Sequence, residues 1–205
     1  AERGDQWSSA EFLQSLRAYC DAHCALLIFD EIQTGFGRTG KLFAFEHDGI
    51  VPDVLVLGKA LGGGMPMGAF ISDRALMAQL SDQPILGHIT TFGGHPVVAA
   101  AGSAALEVLL ESTWIDEVSK KESIFRAGLV HPSIKAIHGK GLMLAVELAN
   151  FETVQLCIQK MLNKGLFSDW FLFAPNCLRL SPPLSITEAE IQLACTQILE
   201  VLEEM

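Results

Sequence analysis

Ala25-Leu26-Leu27-Ile28-Phe29-Asp30-Glu31 and Val54-Leu55-Val56-Leu57-Gly58-Lys59 share one form: an unbroken apolar run of strand length that ends abruptly in charge. An apolar run without alternation suits a strand buried on both faces, as in a parallel sheet. Before the first run, Ser8-Ser9-Ala10-Glu11 has the pattern of a capping box, and Phe12, Leu13, Leu16, Tyr19 and Cys20 recur at helical spacing. Helix followed by buried strand is the alternation of an α/β sheet. Ligand sites in open α/β sheets lie beyond the carboxyl ends of parallel strands, so Asp30 and Lys59 can face one site.

Each charge has a plain structural reading beside the functional one. Asp30 at a strand end can cap the next segment or meet solvent. Lys59 can snorkel to water. Alternatively, a lysine desolvated at a sheet edge has a lowered pKa and serves as a Schiff-base amine. Gly62-Gly63-Gly64 strip side chains from the backbone beside Lys59 and allow a bulky group to approach. A P-loop is excluded, because Asp53 stands five residues before Gly58 and Ala60 follows Lys59 where Ser or Thr would hold magnesium. Gly35-x-Gly37-x-x-Gly40 has dinucleotide-fingerprint spacing, but four residues separate it from the strand end at Asp30 and no periodic helix clearly follows, so it reads as a loop.

Working outward, Gly68 to Ser72 reads as a third strand and Pro96 to Leu110 as a helix with proline at its start. Beyond residue 110 the texture changes. Strands are expected at Leu142 to Leu148 and Leu178 to Leu180, and helices at Thr153 to Asn163 and, after the Thr187-x-x-Glu190 box, from Glu188 to the end. The expected organisation is therefore a large, mostly parallel-sheet domain over 1–110 and a smaller α+β domain over 111–205.

The chain has 205 residues and a formal net charge of −10, with no basic cluster beyond the Lys120-Lys121 pair, which argues against nucleic acid or an anionic membrane as the main partner. No apolar run approaches the roughly 20 residues of a membrane span. The first residues, Ala1 to Asp5, lack the basic start and apolar core of a signal peptide, and the chain opens without Met, as a piece of a larger protein would. Five irregularly spaced cysteines, with Cys20 and Cys24 expected one helical turn apart, read as reduced core thiols in a cytoplasmic setting, and no metal site is expected.

Several stretches taken together resemble the class III aminotransferases, the ornithine, acetylornithine and ω-amino acid group. They are Asp30-Glu31-Ile32-Gln33-Thr34-Gly35-Phe36-Gly37-Arg38-Thr39-Gly40, Pro52-Asp53, Gly58-Lys59-Ala60-Leu61-Gly62-Gly63-Gly64 and Thr90-Thr91-Phe92-Gly93-Gly94-His95-Pro96, in this order and at similar separations. The likeness is thinner afterwards, resting on Gly139-Lys140-Gly141-Leu142 and Leu178-Arg179-Leu180-Ser181-Pro182-Pro183. It implies the C-terminal portion of a fold-type I (aspartate aminotransferase-like) transferase using pyridoxal 5'-phosphate. By that resemblance Asp30 pairs with the pyridine nitrogen, Gln33 lies near the phenolic oxygen, Ile32 packs on the ring, and Lys59 holds the cofactor and shuttles the proton at the substrate Cα. Thr91 corresponds to a threonine that reaches the phosphate of the neighbouring subunit, which implies a homodimer with a shared active site. The bland reading of 90–94 is a glycine turn before a helix.

Arg179 stands between Leu178 and Leu180 on an apolar strand and needs an anion. The resemblance implies substrate-carboxylate recognition, with Glu2 near where a holding glutamate is expected; a permanent ion pair is the alternative. The implied reaction moves an amino group from an amino acid or ω-amine, of the ornithine or acetylornithine type, to an oxo acid such as 2-oxoglutarate. A same-fold aminomutase shares the Asp and Lys devices. From other classes come an inactive fragment or scaffold, since the family's phosphate loop and ring-stacking aromatic precede the point where this sequence begins, and a nucleotide-binding domain using Gly35 to Gly40.

Overall fold

The computed structural model describes residues 2–205. The chain divides into two compact units. One comprises Ser8–Phe36 and Lys41–Thr113. The other comprises Trp114–Met205 with two additions, the N-terminal segment ending at Trp7 and the loop Gly37–Gly40. The division falls at 113/114 rather than the expected 110/111, and the two additions were not foreseen.

In the first unit, α1 (Ala10–Ala22) is capped by Ser9, whose side chain accepts from Phe12 N at 3.2 Å. Three strands follow, β1 (Ile28–Asp30), β2 (Val54–Leu57) and β3 (Ala69–Ser72), in the order β1-β2-β3. β1 and β2 are parallel with Asp30 opposite Val56, whereas β3 runs antiparallel to β2 with Ser72 opposite Val54. The apolar run from Ala25 is longer than β1; Leu27, just before the strand, accepts from Val54 N at 3.2 Å and Asp53 N at 2.8 Å through its carbonyl, while its amide turns to the Asp53 side chain. Asp53 Oδ2 accepts from Leu27 N at 2.7 Å and from Arg17 Nη1 at 2.8 Å, tying α1 to the start of both parallel strands. The Leu27 amide first, and then the Arg17 guanidinium, hold the Asp53 carboxyl below its usual value.

This unit also holds α2 (Arg74–Asp82), capped by Asp73, and α3 (Pro96–Glu111), which opens on proline. One cluster in its core is Cys20, Leu27 and Ile50, with Leu13, Leu16 and Phe29 packed against them, and Phe36, Leu57 and Leu109 are buried elsewhere in the unit. Ile28, Phe70 and Ile71 are exposed. A groove of about 660 Å³ runs past Ile28, Val54, Val56, Phe70 and Leu80. α1 stops at Ala22, so Cys24, exposed at φ +53, is not one helical turn from Cys20 and is not a core thiol. Cys20, Cys157, Cys177 and Cys195 are buried and free.

The second unit has α4 (Trp114–Gly128), β4 (Ala136–Lys140), β5 (Met143–Glu147), α5 (Phe151–Asn163), β6 (Asp169–Phe171), β7 (Ala174–Leu180) and α6 (Glu188–Glu203). The sheet is antiparallel, in the order β4-β5-β7-β6. Leu144, Val146, Leu178 and Leu180 meet Val118 and Phe125 of α4, Cys157 and Met161 of α5, and Ile191 and Ile198 of α6 in one core. Each such side chain taken out of water contributes about 1.5–3 kcal/mol before the entropy of ordering it is subtracted. α5 starts at Phe151 rather than Thr153 because Asn150 Oδ1 accepts from Thr153 N at 2.9 Å. α6 has the expected capping box, with Thr187 N donating to Glu190 Oε2 at 2.8 Å and Glu190 N to Thr187 Oγ1 at 3.3 Å.

Ala145 is also buried, on the sheet face away from the helices. The N-terminal segment covers it. A Cβ on Gly4, at φ +76, would stand 3.1 Å from Ala174 Cβ and 3.4 Å from Cys177 Sγ, so only glycine runs this close over the sheet. Gly37–Gly40 joins this unit through Arg38, which donates to Leu142 O at 3.5 Å and to Pro182 O, while its own carbonyl accepts from Leu142 N at 2.9 Å. Among the described residues no single helix is long and apolar enough to cross a membrane.

Candidate active site

Asp30 ends β1, and Lys59 stands two residues beyond the end of β2, its parallel neighbour. The ladder runs on for one bond past Asp30, from Glu31 N to Val56 O at 2.9 Å. The chain then turns, and Asp30 Oδ1 accepts from Ile32 N at 3.0 Å, which fixes the carboxylate over the strand end. Ile32 lies over Gly58, where a Cβ would come within 3.2 Å of Ile32 Cγ2. The Asp30 turn and the Lys59 turn are therefore packed against each other through Ile32 and a glycine.

Lys59 has φ +46, a left-handed conformation uncommon in any residue but glycine. The short 3-10 turn Lys59–Gly62 holds it there, with Leu61 N bonded to Gly58 O at 3.0 Å and Gly63 N to Ala60 O at 3.2 Å. Strain of this kind persists where its surroundings over-determine it, and it concentrates at functional positions. Lys59 is exposed, whereas the functional reading of the sequence took it as a desolvated amine. Gln33 is half-buried in the turn after Asp30. Thr91 is exposed in the turn before α3, where Gly93 N bonds to Thr90 O at 3.3 Å and His95 N to Phe92 O at 3.2 Å. The glycine turn is thus present whatever Thr91 reaches.

Glu31 belongs to this site and escaped the sequence reading. It is only 2% exposed. It accepts from Thr34 Oγ1, from Ala44 N at 3.0 Å and from Phe45 N at 2.8 Å, and so shapes the loop that carries Gln33. Strand alternation is the signal that could have found it: Asp30 and Glu31 are consecutive, so one points out to the site and the other in.

Arg179 lies in the other unit. Its Nη2 is 2.8 Å from Glu2 Oε2, and its guanidinium stands 4.4 Å from the Phe171 ring centroid. Glu2 is fixed in turn, its Oε2 accepting from Leu172 N at 3.2 Å and its carbonyl from Phe173 N at 2.9 Å. The Gly35–Gly40 spacing lies in turns followed by only a short 3-10 turn, Ala44–His47, and not by an α-helix, unlike a dinucleotide loop.

The family model described as "Aminotransferase class-III" matches residues 1–202. The chain belongs to the class III aminotransferases. It is 40% identical to an acetylornithine aminotransferase of Caldanaerobacter subterraneus subsp. tengcongensis over 211 aligned residues, covering 100% of this chain and 51% of that protein. The acetylornithine aminotransferase of Bacillus subtilis is 38% identical, covering 98% of this chain and 51% of the relative. Among solved structures, the ornithine aminotransferase of Toxoplasma gondii ME49 superposes with a TM-score of 0.90 at 34% identity, covering 99% of this chain and 50% of that one. The ornithine aminotransferase of Plasmodium yoelii does so with a TM-score of 0.90 at 30% identity, covering 99% and 54%. The chain thus spans about half the length of the relatives it matches. The fold is that of the fold-type I transferases, and the family's cofactor is pyridoxal 5'-phosphate.

The donor set fits that cofactor. A carboxylate suits a protonated pyridine nitrogen, a primary amine an aldehyde, an amide a phenolic oxygen, and a hydroxyl a phosphate. Asp30, Lys59, Gln33 and Thr91 supply these four groups from one unit, and Ile32 supplies an apolar face between the first two.

Proposed function

We propose that this chain carries the lysine side of a transaminase active site, moving an amino group from an amino acid or ω-amine of the ornithine or acetylornithine type to a 2-oxo acid such as 2-oxoglutarate. The observation that carries the proposal is the strained Lys59 turn packed through Gly58 and Ile32 against Asp30 at the ends of two parallel strands. Pyridoxal 5'-phosphate, when bound, supplies a ring that accepts the electron pair left when the substrate Cα loses a proton. Asp30 would hold the ring nitrogen protonated, Gln33 would donate to the phenolic oxygen, and Ile32 would keep water from one ring face. Lys59 Nζ would anchor the group, give way to the substrate amine, and then take the proton from Cα and deliver it one position along. Arg179 would receive a substrate carboxylate when Glu2 releases it. Thr91 would reach a phosphate in the partner subunit, which makes the working form a homodimer, and five free cysteines fit a cytoplasmic setting.

A reading of the isolated chain as a weak cofactor binder draws support from the apolar groove beside β1 to β3 and from the longer relatives. Glutamate formation from 2-oxoglutarate with acetylornithine or ornithine, and its loss in Lys59→Ala, tests the proposal. Turnover that survives Lys59→Ala would refute it. Isomerisation of an amino aldehyde without any oxo acid would favour an aminomutase.

A further inference from the structure

The segment that delivers Glu2 to Arg179 brings a second carboxylate, Asp5. It is 7% exposed, at φ +48, and its Oδ1 is buried with no hydrogen-bond partner. Arg179 Nε is likewise buried without a partner, since Glu2 engages Nη2. Asp5 lies within the electrostatic field of both Arg179 and Glu2. The guanidinium is thus bonded to one carboxylate, Glu2, and within electrostatic reach of a second, Asp5, with an unused donor on the arginine and an unused acceptor on the aspartate.

We propose that Asp5 is a positioning residue for Arg179. Ionised, it accepts from Arg179 Nε and holds the guanidinium together with Glu2; protonated, it leaves Arg179 to Glu2 alone, free to exchange that partner for an incoming carboxylate. On ionisation the proton leaves to water and the cluster of one guanidinium and two carboxylates takes a net charge of −1. That charge repels a third carboxylate, so Arg179 accepts an anion more readily on the acid side. The proposal stands on two buried atoms that lack hydrogen bonds, Asp5 Oδ1 and Arg179 Nε, on a segment whose Glu2 already bonds Arg179; its consequence for an incoming carboxylate rests on the role proposed above for Arg179.

The surroundings place the switch on the mildly acidic side. Burial raises the Asp5 carboxyl to about 6, with Arg179 lowering it and Glu2 raising it. Of the other groups on this sheet face, Cys177 on β7 is pushed up by burial and then by Glu147 and Asp5. Glu147 on β5 is paired with His138 of β4 at 2.9 Å, and Asp169 stands opposite Arg179 on β6 with its Oδ1 taken by Trp170 N. No described residue on these strands offers Asp5 Oδ1 a hydrogen bond.

The test is a carboxyl and guanidinium titration by NMR on the isotope-labelled chain. Asp5 is expected to titrate with a midpoint about two units above an ordinary aspartate, with the Arg179 Nε–H resonance moving at the same midpoint and fixed in Asp5→Asn. An Asp5 that titrates in the ordinary range, or an Nε–H that ignores it, overturns the proposal. Calorimetry with glutarate as probe then reads the consequence: its affinity should weaken roughly tenfold per pH unit above the Asp5 midpoint and lose that dependence in Asp5→Asn. The same pH dependence in both proteins counts against the proposal. If glutarate fails to bind at every pH while Asp5 and Arg179 still titrate together, the coupling holds and the carboxylate role of Arg179 falls.

Discussion

Gly63→Ala should destabilise the Lys59 turn more than Gly64→Ala, and the neighbour provides the control. Gly63 caps the Lys59–Gly62 turn at φ +56, where a Cβ would stand 2.6 Å from Ala101 O and 2.9 Å from Ala105 Cβ on α3. Gly64 has φ +93, and a Cβ there meets nothing within 4 Å. Both substitutions carry the conformational cost of a positive φ, about 1–2 kcal/mol. Only Gly63→Ala must also push the turn off the α3 backbone, an overpacking cost of about 1–3 kcal/mol. Gly63→Ala should therefore lower stability by roughly 2–5 kcal/mol and Gly64→Ala by about 1–2. Denaturant titrations of the two proteins read the difference as separate midpoints at a common slope. Equal losses would show that the approach of the turn to Ala101 is not what requires glycine, and that Lys59 is placed by something else.

Ile198, 1% exposed in the core of the second unit, should cost about 2–5 kcal/mol as Ile198→Ala, whereas Leu193→Ala on the same helix, 58% exposed, should change stability by less than about 0.5 kcal/mol; similar losses in denaturant titration would mean that α6 is not packed by the face described. Because the folded chain holds the Asp5 proton up to about 6, against 3.8 for the ordinary carboxyl, it binds more protons than the unfolded chain between those values. Stability from this group is therefore full below the lower value and lost as pH rises through the upper one, by at most about 3 kcal/mol. Thermal melts across that window should show the slope in the native protein and not in Asp5→Asn.

What could be read in the sequence was whatever is local. Val54 to Leu57 reads as a buried strand because four consecutive apolar residues bounded by Asp53 and Gly58 leave few alternatives, and the Thr187-x-x-Glu190 box fixes the start of α6 by hydrogen bonds between residues three apart. α4 and α2 went unread because each carries apolar positions on one narrow face among charged and polar residues, and β4, Ala136–Lys140, mixes His, Gly and Lys into a strand that is only half-buried. Cys24 was misplaced because nothing local marks His23 as the end of α1. Asp5 could not be found at all: its burial depends on Gly4 passing over Ala174 and Cys177, some 170 residues away, and no pattern along the chain announces that contact. The placement of Asp30 and Lys59 at neighbouring strand ends was legible from two apolar runs ending in charge, but the exposure of Lys59 and the internal role of Glu31 depend on how the turns close.

The central claim is that Lys59, on its strained turn beside Asp30, is the amine that binds the cofactor aldehyde. Borohydride reduction in the presence of pyridoxal 5'-phosphate, followed by digestion and mass mapping, tests it directly, on this chain and on a form extended upstream. The account predicts a reduced pyridoxyl adduct on Lys59 and on no other lysine. An adduct spread over surface lysines, or none on Lys59 in either form, would contradict it.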